Sequence, residues 1–227
     1  MAAAFLPSVN AFSFTNAWPK EPAVSLDTPF GTVAVGDASK GLCGGMTYAA
    51  LDYFYAGRMP QPDRPAPGSP LYAFLVRRLV DSWHVPAGVA QYYQWMNLPD
   101  SDQGFDVLGH QVVTQRGVSW RTVQQQWPVV KEDLDDQRPS PLGLVTIRSS
   151  RLSDLGWNHQ VLAYAYATQG SVVTLHVYDP NSGQDDAVTI AFDTGAPTRA
   201  TTFTDTVNIT RPIRGFFRTA YSPVPPP

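Results

Sequence analysis

The sequence contains only one cysteine, Cys43, among 227 residues. A single thiol cannot form an internal disulfide, and it cannot by itself build a thiolate metal site. Two roles therefore stay open for Cys43 at this stage. It is either an apolar filler of the core, as many free cysteines are, or a reactive thiol.

Charge is also scarce, since Asp, Glu, Lys and Arg make up 15% of the chain and the formal net charge is −3 at pH 7. The Lys and Arg residues are scattered, so no basic surface for nucleic acid is predicted. No apolar run is long enough to span a bilayer, and the start, MAAAFLPSVNAFSF, lacks the pattern of a signal peptide. We expect no nucleic-acid partner, no membrane partner and a cytoplasmic location. Export by a route without a cleaved signal stays open, and no oligomeric state is predicted.

The patterning predicts one α+β domain over residues 1–227, in which helices come first and a sheet follows. Residues 1–40 are predicted to form a strand and loop extension without helix. The mainly helical part, residues 41–136, has helical spacing of apolar residues at four places: 44–56, 70–79, 87–97 and 119–136.

Alternating apolar residues predict an antiparallel sheet over residues 140–221. Residues 222–227 are predicted to form a flexible, solvated, proline-rich tail. The predicted sheet contains four clear alternating segments, at 142–147, 159–167, 171–179 and 187–192.

Cys43 directly precedes the first predicted helix, in GLCGGMTYAALDYF. The free N–H groups and the dipole at a helix start favour a thiolate there. The neighbouring Gly41, Gly44 and Gly45 remove side-chain bulk, so a substrate backbone or another strand can approach the sulfur. This position suits a nucleophile, which needs a base.

The pair His159 and Asp179 provides a candidate base and its partner. A hairpin centred near residue 169 would place these two residues directly opposite each other and would pair Val161 with Val177. Directly opposed residues have Cβ atoms about 4.5 to 5.5 Å apart, so a carboxylate can orient an imidazole. The other ring nitrogen can then take a proton from a thiol.

Other interpretations of these residues stay open. His110 lies in a similar local sequence, but no second strand returns an acid to it. His84 and His176 are predicted to be ordinary rings. The spacing from Asp179 to Asp185 loosely resembles a calcium loop, whereas the alternative is an Asx turn that ends the strand.

The order of these features resembles the papain-like cysteine peptidase superfamily and, within it, the bacterial C39-like peptidase group. The likeness is carried by GLCGGMTYAALDYF, VVKEDLDDQRPSPLGLVTI, NHQVLAYAY and VYDPNSG, which lie between residues 41 and 183. The resemblance implies a papain-like fold, in which N-terminal helices, including the helix that carries the cysteine, pack on a C-terminal antiparallel sheet. It implies Cys43 as nucleophile, His159 as base and Asp179 as the residue that orients His159, with no cofactor and no metal.

The family pattern places a glutamine about six residues before the cysteine, where its amide holds the oxyanion. This sequence has Asp37 there, and a carboxylate would repel a developing negative charge. Ser39 or Lys40 could replace the missing donor, or the backbone N–H of Cys43, beside Gly44, could act nearly alone. The remaining alternative is a fold kept without efficient catalysis.

Two functions follow from this reasoning. The first is a peptidase or amidase that forms a thioester acyl-enzyme on Cys43 with a peptide or another amide as substrate. In that case Trp157 and Asn158, just before the base, are expected to wall the substrate cleft. The second is a catalytically weak or inactive binding or interaction module that keeps the fold.

Overall fold

The structure is a computed structural model that describes residues 4–18, 22–28, 31–37, 42–108 and 110–227. For residues 22–28, 31–37, 110 and 111, it describes the backbone only. Within these ranges the chain is a mixed α+β structure built on antiparallel strands, which confirms the predicted fold class at that level.

The helices lie mainly in the first 135 residues. They are α1 (Pro7–Asn10), α2 (Cys43–Tyr55), α3 (Pro70–Ser82), α4 (Ala87–Asn97), α5 (Val118–Arg121), a π-helical turn (Thr122–Gln126), α6 (Trp127–Asp135) and a 3₁₀ helix (Leu152–Trp157). None of the helices in the described ranges has both the length and the apolar character needed to cross a bilayer.

The strands form one large sheet and two separate hairpins. The hairpins are β1 (Pro22–Thr28) with β2 (Gly31–Asp37), and β3 (Gln103–Val107) with β4 (His110–Gln115). The large sheet consists of β5 (Ser140–Val145), β6 (His159–Gln169), β7 (Val172–Tyr178), β8 (Thr189–Asp193), β9 (Phe203–Asp205) and β10 (Gly215–Arg218). Its strand order is β10-β5-β6-β7-β8-β9, and every described pairing is antiparallel.

Helices cover both faces of the large sheet. Leu162 and Tyr178 face a cluster that contains the apolar residues of α2 and α3. The neighbouring residues of the same strands, Val161 and Val177, face a second cluster that contains those of α6. This alternation follows from the period of two in a strand, and it places the start of β6 close to α2.

Local sequence accounts for the ends of α2 and α3. Gly57 has φ +63° just after α2, a conformation that glycine adopts without steric cost. The Ser69 side chain accepts a hydrogen bond from the Tyr72 N–H, and Pro70 occupies the first turn of α3. Both features confirm the predicted positions of these helix ends.

Four expectations about secondary structure need correction. The first 40 residues contain a short helix, α1, and the mainly helical part contains the β3–β4 hairpin. The pattern at 119–136 would be expected to break at Pro128, which has no N–H, but the helix continues because the π-helical turn widens the backbone just before that residue. Strand β9 is an additional short edge strand.

The tail, residues 222–227, is attached to the rest of the fold by hydrogen bonds, although four of its six residues are exposed. Val224 donates its N–H to Asp52 Oδ1 at 2.9 Å, and Pro226 is buried. Arg58 donates to the carbonyl groups of Pro226 and Pro227 at 2.8 and 2.7 Å. The tail is held because Asp52 of α2 offers it a carboxylate acceptor and Arg58, in the loop after α2, offers it a guanidinium donor.

The register of β6 and β7 differs from the predicted one. Val177 pairs with Ala163 rather than with Val161, and the turn lies at Gly170 and Ser171 rather than at residue 169. Near the turn the offset is three residues, which inverts the predicted faces. A bulge at Tyr164 then reduces the offset to two, which restores them.

Candidate active site

Cys43 is the first residue of α2, and it is the free cysteine of the chain, with 9% of its surface exposed. The first N–H groups of a helix have no partner within the helix. The residue before Cys43 is Leu42, whose side chain cannot cap them, and no side-chain cap is formed. The sulfur therefore lies at a helix end with uncapped N–H groups and a favourable dipole for negative charge.

His159 is the first residue of β6, and its ring lies between Cys43 and Asp179. The Nε2 atom donates a hydrogen bond of 2.7 Å to Oδ1 of Asp179. Cys43 is near enough to the ring to raise the pKa of His159, through its charge and as a hydrogen-bonding partner. Since Nε2 is taken by Asp179, Nδ1 is the nitrogen left for the sulfur. Tyr92 of α4 fixes the backbone at this point by donating its hydroxyl to the His159 carbonyl at 3.3 Å.

Asp179, directly after β7, is fully buried and surrounded by donors. Besides His159, Oδ1 accepts the N–H of Asn181 at 2.9 Å. Oδ2 accepts the hydroxyl of Ser182 at 3.1 Å and the N–H of Asn208 at 2.8 Å. The Asx turn offered as an alternative interpretation is thus formed, and the same carboxylate also binds His159.

The electrostatics of the pair favour charge on both members. Burial works to lower the pKa of His159, but the charge and hydrogen bond of Cys43 and the contact with Asp179 raise that pKa to about 10. Burial works to raise the pKa of Asp179, but the contacts with His159 and the two N–H donors outweigh it, so the pKa lies below its usual value. A protonated imidazole facing a sulfur is the arrangement that favours a thiolate.

The glycines after Cys43 admit neighbouring elements of this chain. A Cβ on Gly44 would lie 2.3 Å from Ser82 Oγ and 2.8 Å from the side chain of Gln160. A Cβ on Gly45 would lie 2.1 Å from the Leu75 carbonyl oxygen. Close approach of α3 and of the Gln160 side chain of β6 therefore requires both glycines.

Comparison of the chain with protein-family models, with curated proteins and with solved structures found no match.

Asn16 is a residue of the site that sequence reasoning missed. Its Oδ1 accepts the N–H of Leu42 at 2.6 Å, and its Nδ2 donates to Oδ1 of Asn181 at 3.0 Å. One amide therefore links the residue before the cysteine to the turn that holds Asp179. Asn16 is 165 positions from Asn181, so no local pattern could have indicated this role.

A cleft with a volume of about 380 Å³ opens beside His159. Trp157 and Asn158 both line it, as expected, although the substrate role itself stays a prediction. Asn158 is held by internal hydrogen bonds, because Oδ1 accepts the Thr146 N–H and Nδ2 donates to the Leu155 carbonyl. Trp157 is 45% exposed and stacks with the Arg211 guanidinium, whose carbon lies 4.5 Å from the ring centre.

The structure describes only part of the predicted oxyanion region. Asp37 ends β2, and its side chain lies outside the described residues, as do Ser39 and Lys40 entirely. The side chain of His110 is likewise outside the description. His84 contacts the Ala220 carbonyl through Nε2, well away from the cleft-lining residues.

The calcium interpretation finds little support in the loop after β7. Both oxygens of Asp179 already accept hydrogen bonds, and Asp185 accepts the N–H of Ala187 at 2.8 Å. Within the described ranges, no group of three or more His, Cys, Asp or Glu side chains could hold a metal ion.

Proposed function

We propose that this chain is a papain-like cysteine hydrolase of the C39-like peptidase group that acts on an amide bond. The observation that carries the proposal is the continuous chain of contacts from Cys43 through His159 to Asp179. Cys43 acts on the ring strongly enough to raise the pKa of His159, and the carboxylate accepts from Nε2 at 2.7 Å. This is the nucleophile, base and orienting acid that acyl transfer requires.

In the proposed reaction, the thiolate of Cys43 attacks the carbonyl carbon of the amide. His159 gives its proton to the leaving nitrogen as the carbon–nitrogen bond breaks, which leaves a thioester on the sulfur and an amine as first product. Water then attacks the thioester, His159 takes its proton, and the thiolate and a carboxylic acid are released. Asp179 holds the ring in place in both steps.

The donors for the oxyanion are the backbone N–H groups at the start of α2, beside Cys43 and Gly44. The amide of Asn16 does not replace the family glutamine, because Leu42, Trp18 and Asn181 already occupy it. Loss of one oxyanion donor typically lowers turnover about 100- to 1000-fold. We therefore propose slow hydrolysis that rests mainly on backbone donors.

Alkylation of Cys43 by iodoacetamide tests this function. We expect stoichiometric labelling of the native protein, and a rate at least tenfold lower in His159→Ala, since the imidazolium favours the thiolate. The matched control is His176→Ala, which removes a ring from β7 and leaves the triad intact. A thiol that reacts only after unfolding would refute the proposal.

One observation favours the second candidate, a binding module without efficient catalysis. Cys43 is largely buried, and it is not among the described residues that line the cleft beside His159. The variant Cys43→Ala separates the two functions. If a measured hydrolysis of peptide substrates is lost in the variant, the module is excluded; if the wild type hydrolyses none and binding is unchanged, the module is favoured.

A further inference from the structure

The cleft beside His159 contains a cation whose donors are not used by the described parts of the chain. Arg211 lines this cleft, and its Nε atom is buried with no hydrogen-bond partner among the described residues. By contrast, six other arginine side chains form ion pairs with aspartates elsewhere in the described parts of the fold. A buried N–H without an acceptor is costly, so this position is suited to an acceptor that arrives from outside.

Most of the other polar groups of the cleft are already occupied, apart from the exposed side chains of Asn208 and Thr210. Asn181 donates through Nδ2 to the Asn208 carbonyl at 2.8 Å and accepts from Asn16, and Asn158 is bonded to the chain at both ends of its amide. Thr146 donates its hydroxyl to the Trp157 carbonyl at 2.7 Å. Among the side chains of the cleft with spare donors, the guanidinium is the one that carries a permanent positive charge.

The charge of the cleft has one sign. Its described lining contains Arg211 and His159 and no Asp or Glu side chain. Asp179, the nearest carboxylate behind His159, has both oxygens occupied by four hydrogen bonds. An anionic group that enters the cleft thus meets positive charge without a competing carboxylate on its walls.

Trp157 keeps the guanidinium in place. The Arg211 carbon lies 4.5 Å from the ring centre of Trp157. Stacking on a ring occupies a face of the guanidinium and leaves its N–H groups, which lie in the guanidinium plane, available to an acceptor. The planar fork of an arginine matches the two oxygens of a carboxylate. Stacking also reduces the side-chain freedom that binding would otherwise remove.

From this geometry we propose that Arg211, held by Trp157, binds a carboxylate of the substrate. The site then selects amides that carry an acidic side chain or a free chain end near the bond that is cleaved. This inference rests on the proposed function for the identity of the ligand as a substrate. Arg211 is a specificity-determining residue in this scheme and takes no part in the bond-breaking steps.

A binding experiment tests the recognition without catalysis. In Cys43→Ala, the indole N–H resonance of Trp157 is followed by NMR during titration with acetyl-aspartyl amide, acetylglycine and acetyl-asparaginyl amide. We expect at least one of the two carboxylates to bind about tenfold more tightly than the neutral amide, the factor typical of one charged hydrogen-bonded contact. The aspartyl and glycine arms distinguish a side-chain carboxylate from a chain end.

Three variants make the result specific. Arg211→Gln should abolish the preference for the carboxylate, and Arg211→Lys should keep part of it, since the charge remains without the fork. Arg77→Gln, an exposed arginine of α3, should leave it unchanged. Equal binding of all three ligands, or a preference that survives in Arg211→Gln, would overturn the proposal.

A second experiment separates this inference from the proposed hydrolase. Peptide vinyl sulfones with Asp or Asn at each of three positions before the electrophile are reacted with Cys43 in the wild type. We expect Cys43 to react about tenfold faster with the Asp peptide than with the Asn peptide for at least one position. This difference should disappear in Arg211→Gln. If Cys43 reacts at equal rates with the Asp and Asn peptides at all positions, the proposed hydrolase is still supported and carboxylate binding by Arg211 is rejected. If Cys43 reacts with neither peptide while the NMR preference holds, the hydrolase fails and Arg211 remains a carboxylate site.

Discussion

His159 Nε2 and Asp179 Oδ1 are joined by a 2.7 Å hydrogen bond that runs diagonally between two strands. Leu162 pairs with Tyr178, and continuing that register by one step places Asp179 opposite Val161, two residues from His159. Diagonal neighbours are about 7 to 8 Å apart, a gap that an imidazole and a carboxylate can bridge. The geometry holds the ring at the start of β6, an interior strand, where α2 presents Cys43.

Replacing Asp179 with Asn should destabilise the fold by about 3 kcal/mol, the typical cost of breaking a buried charged pair. An amide cannot accept all four hydrogen bonds and would turn an NH₂ toward other donors. Urea unfolding measures the loss. The control is Asp185→Asn, an exposed carboxylate of the same loop, which should cost under about 1 kcal/mol. Similar losses in the two variants would contradict the assigned role.

The His159 ring should remain protonated at pH values well above those at which an ordinary histidine loses its proton. Its pKa is raised to about 10, mainly by Cys43 acting against the burial penalty. Because the folded pKa exceeds the unfolded value of 6.5, the contribution of His159 to stability is complete below pH 6.5 and is lost as the pH rises through about 10.

An NMR titration of the ring checks this directly. In Cys43→Ala the pKa of His159 should fall by more than one unit, since the charge and the hydrogen bond of the sulfur are gone while burial remains. A pKa that is the same in both proteins would show that Cys43 does not face the ring.

Alanine at the two glycines of α2 should have unequal effects. Gly45→Ala places a Cβ 2.1 Å from the backbone oxygen of Leu75, and a backbone cannot move aside cheaply. We expect a loss of about 3 kcal/mol, at the upper end for overpacking. Gly44→Ala meets the side chains of Ser82 and Gln160, which can rotate, so a smaller loss is expected. Thermal unfolding ranks the two, and the reverse order would contradict the close packing of α3.

Removing the Asn16 amide should lower the alkylation rate of Cys43 and cost the fold a modest amount of stability. Asn16→Ala breaks the link between Leu42 and Asn181, so Cys43 and Asp179 lose their common support. We expect the native alkylation rate of Cys43 to fall at least fivefold, with a stability loss of about 1 to 2 kcal/mol. Asn97→Ala, an exposed asparagine at the end of α4, is the control. An unchanged alkylation rate in Asn16→Ala would count against the link.

Tyr221→Phe should loosen the tail. The Tyr221 hydroxyl donates to Asp52 Oδ1 at 2.8 Å, beside the buried ion pair of Asp52 with Arg78. Losing one hydrogen bond to a charged acceptor should cost about 1.5 to 3 kcal/mol. Hydrogen exchange of the Val224 N–H, which shares the same acceptor, should become faster. Tyr93→Phe on α4 serves as control, and equal exchange in both variants would argue against this contact.

The apolar pattern predicted elements that are buried on one face as well as elements that are buried nearly all round, such as α2 and β5. Strands β5 to β8 and the helices α2 to α4 were found in this way, and so was the meeting of His159 with Asp179. The β3–β4 hairpin escaped prediction because the side chains of β3 are all exposed, so no apolar alternation marks it. The register of β6 and β7 was not predicted either, because it depends on the bulge at Tyr164. No residue type in this segment indicates a bulge.

The polar parts of the site were predictable only where they are local. The Asx turn at Asp179 is encoded within a few residues, whereas Asn16 and Arg211 reach the site through contacts between distant segments. The packed tail was missed for a related reason. Asp52 and Arg78 are charged residues, which usually lie at a surface, and only their mutual neutralisation lets them be buried together.

The contacts of the tail also bear on the order of events during synthesis. Tyr48 donates its hydroxyl to the Ala220 carbonyl at 2.5 Å, and Asp52 accepts from Val224, a partner 172 positions further along the chain. The helix that carries the thiol thus cannot complete its packing until residue 224 has left the ribosome. Such distant closure slows folding, and the surroundings of Cys43 are complete only after these long-range contacts have formed.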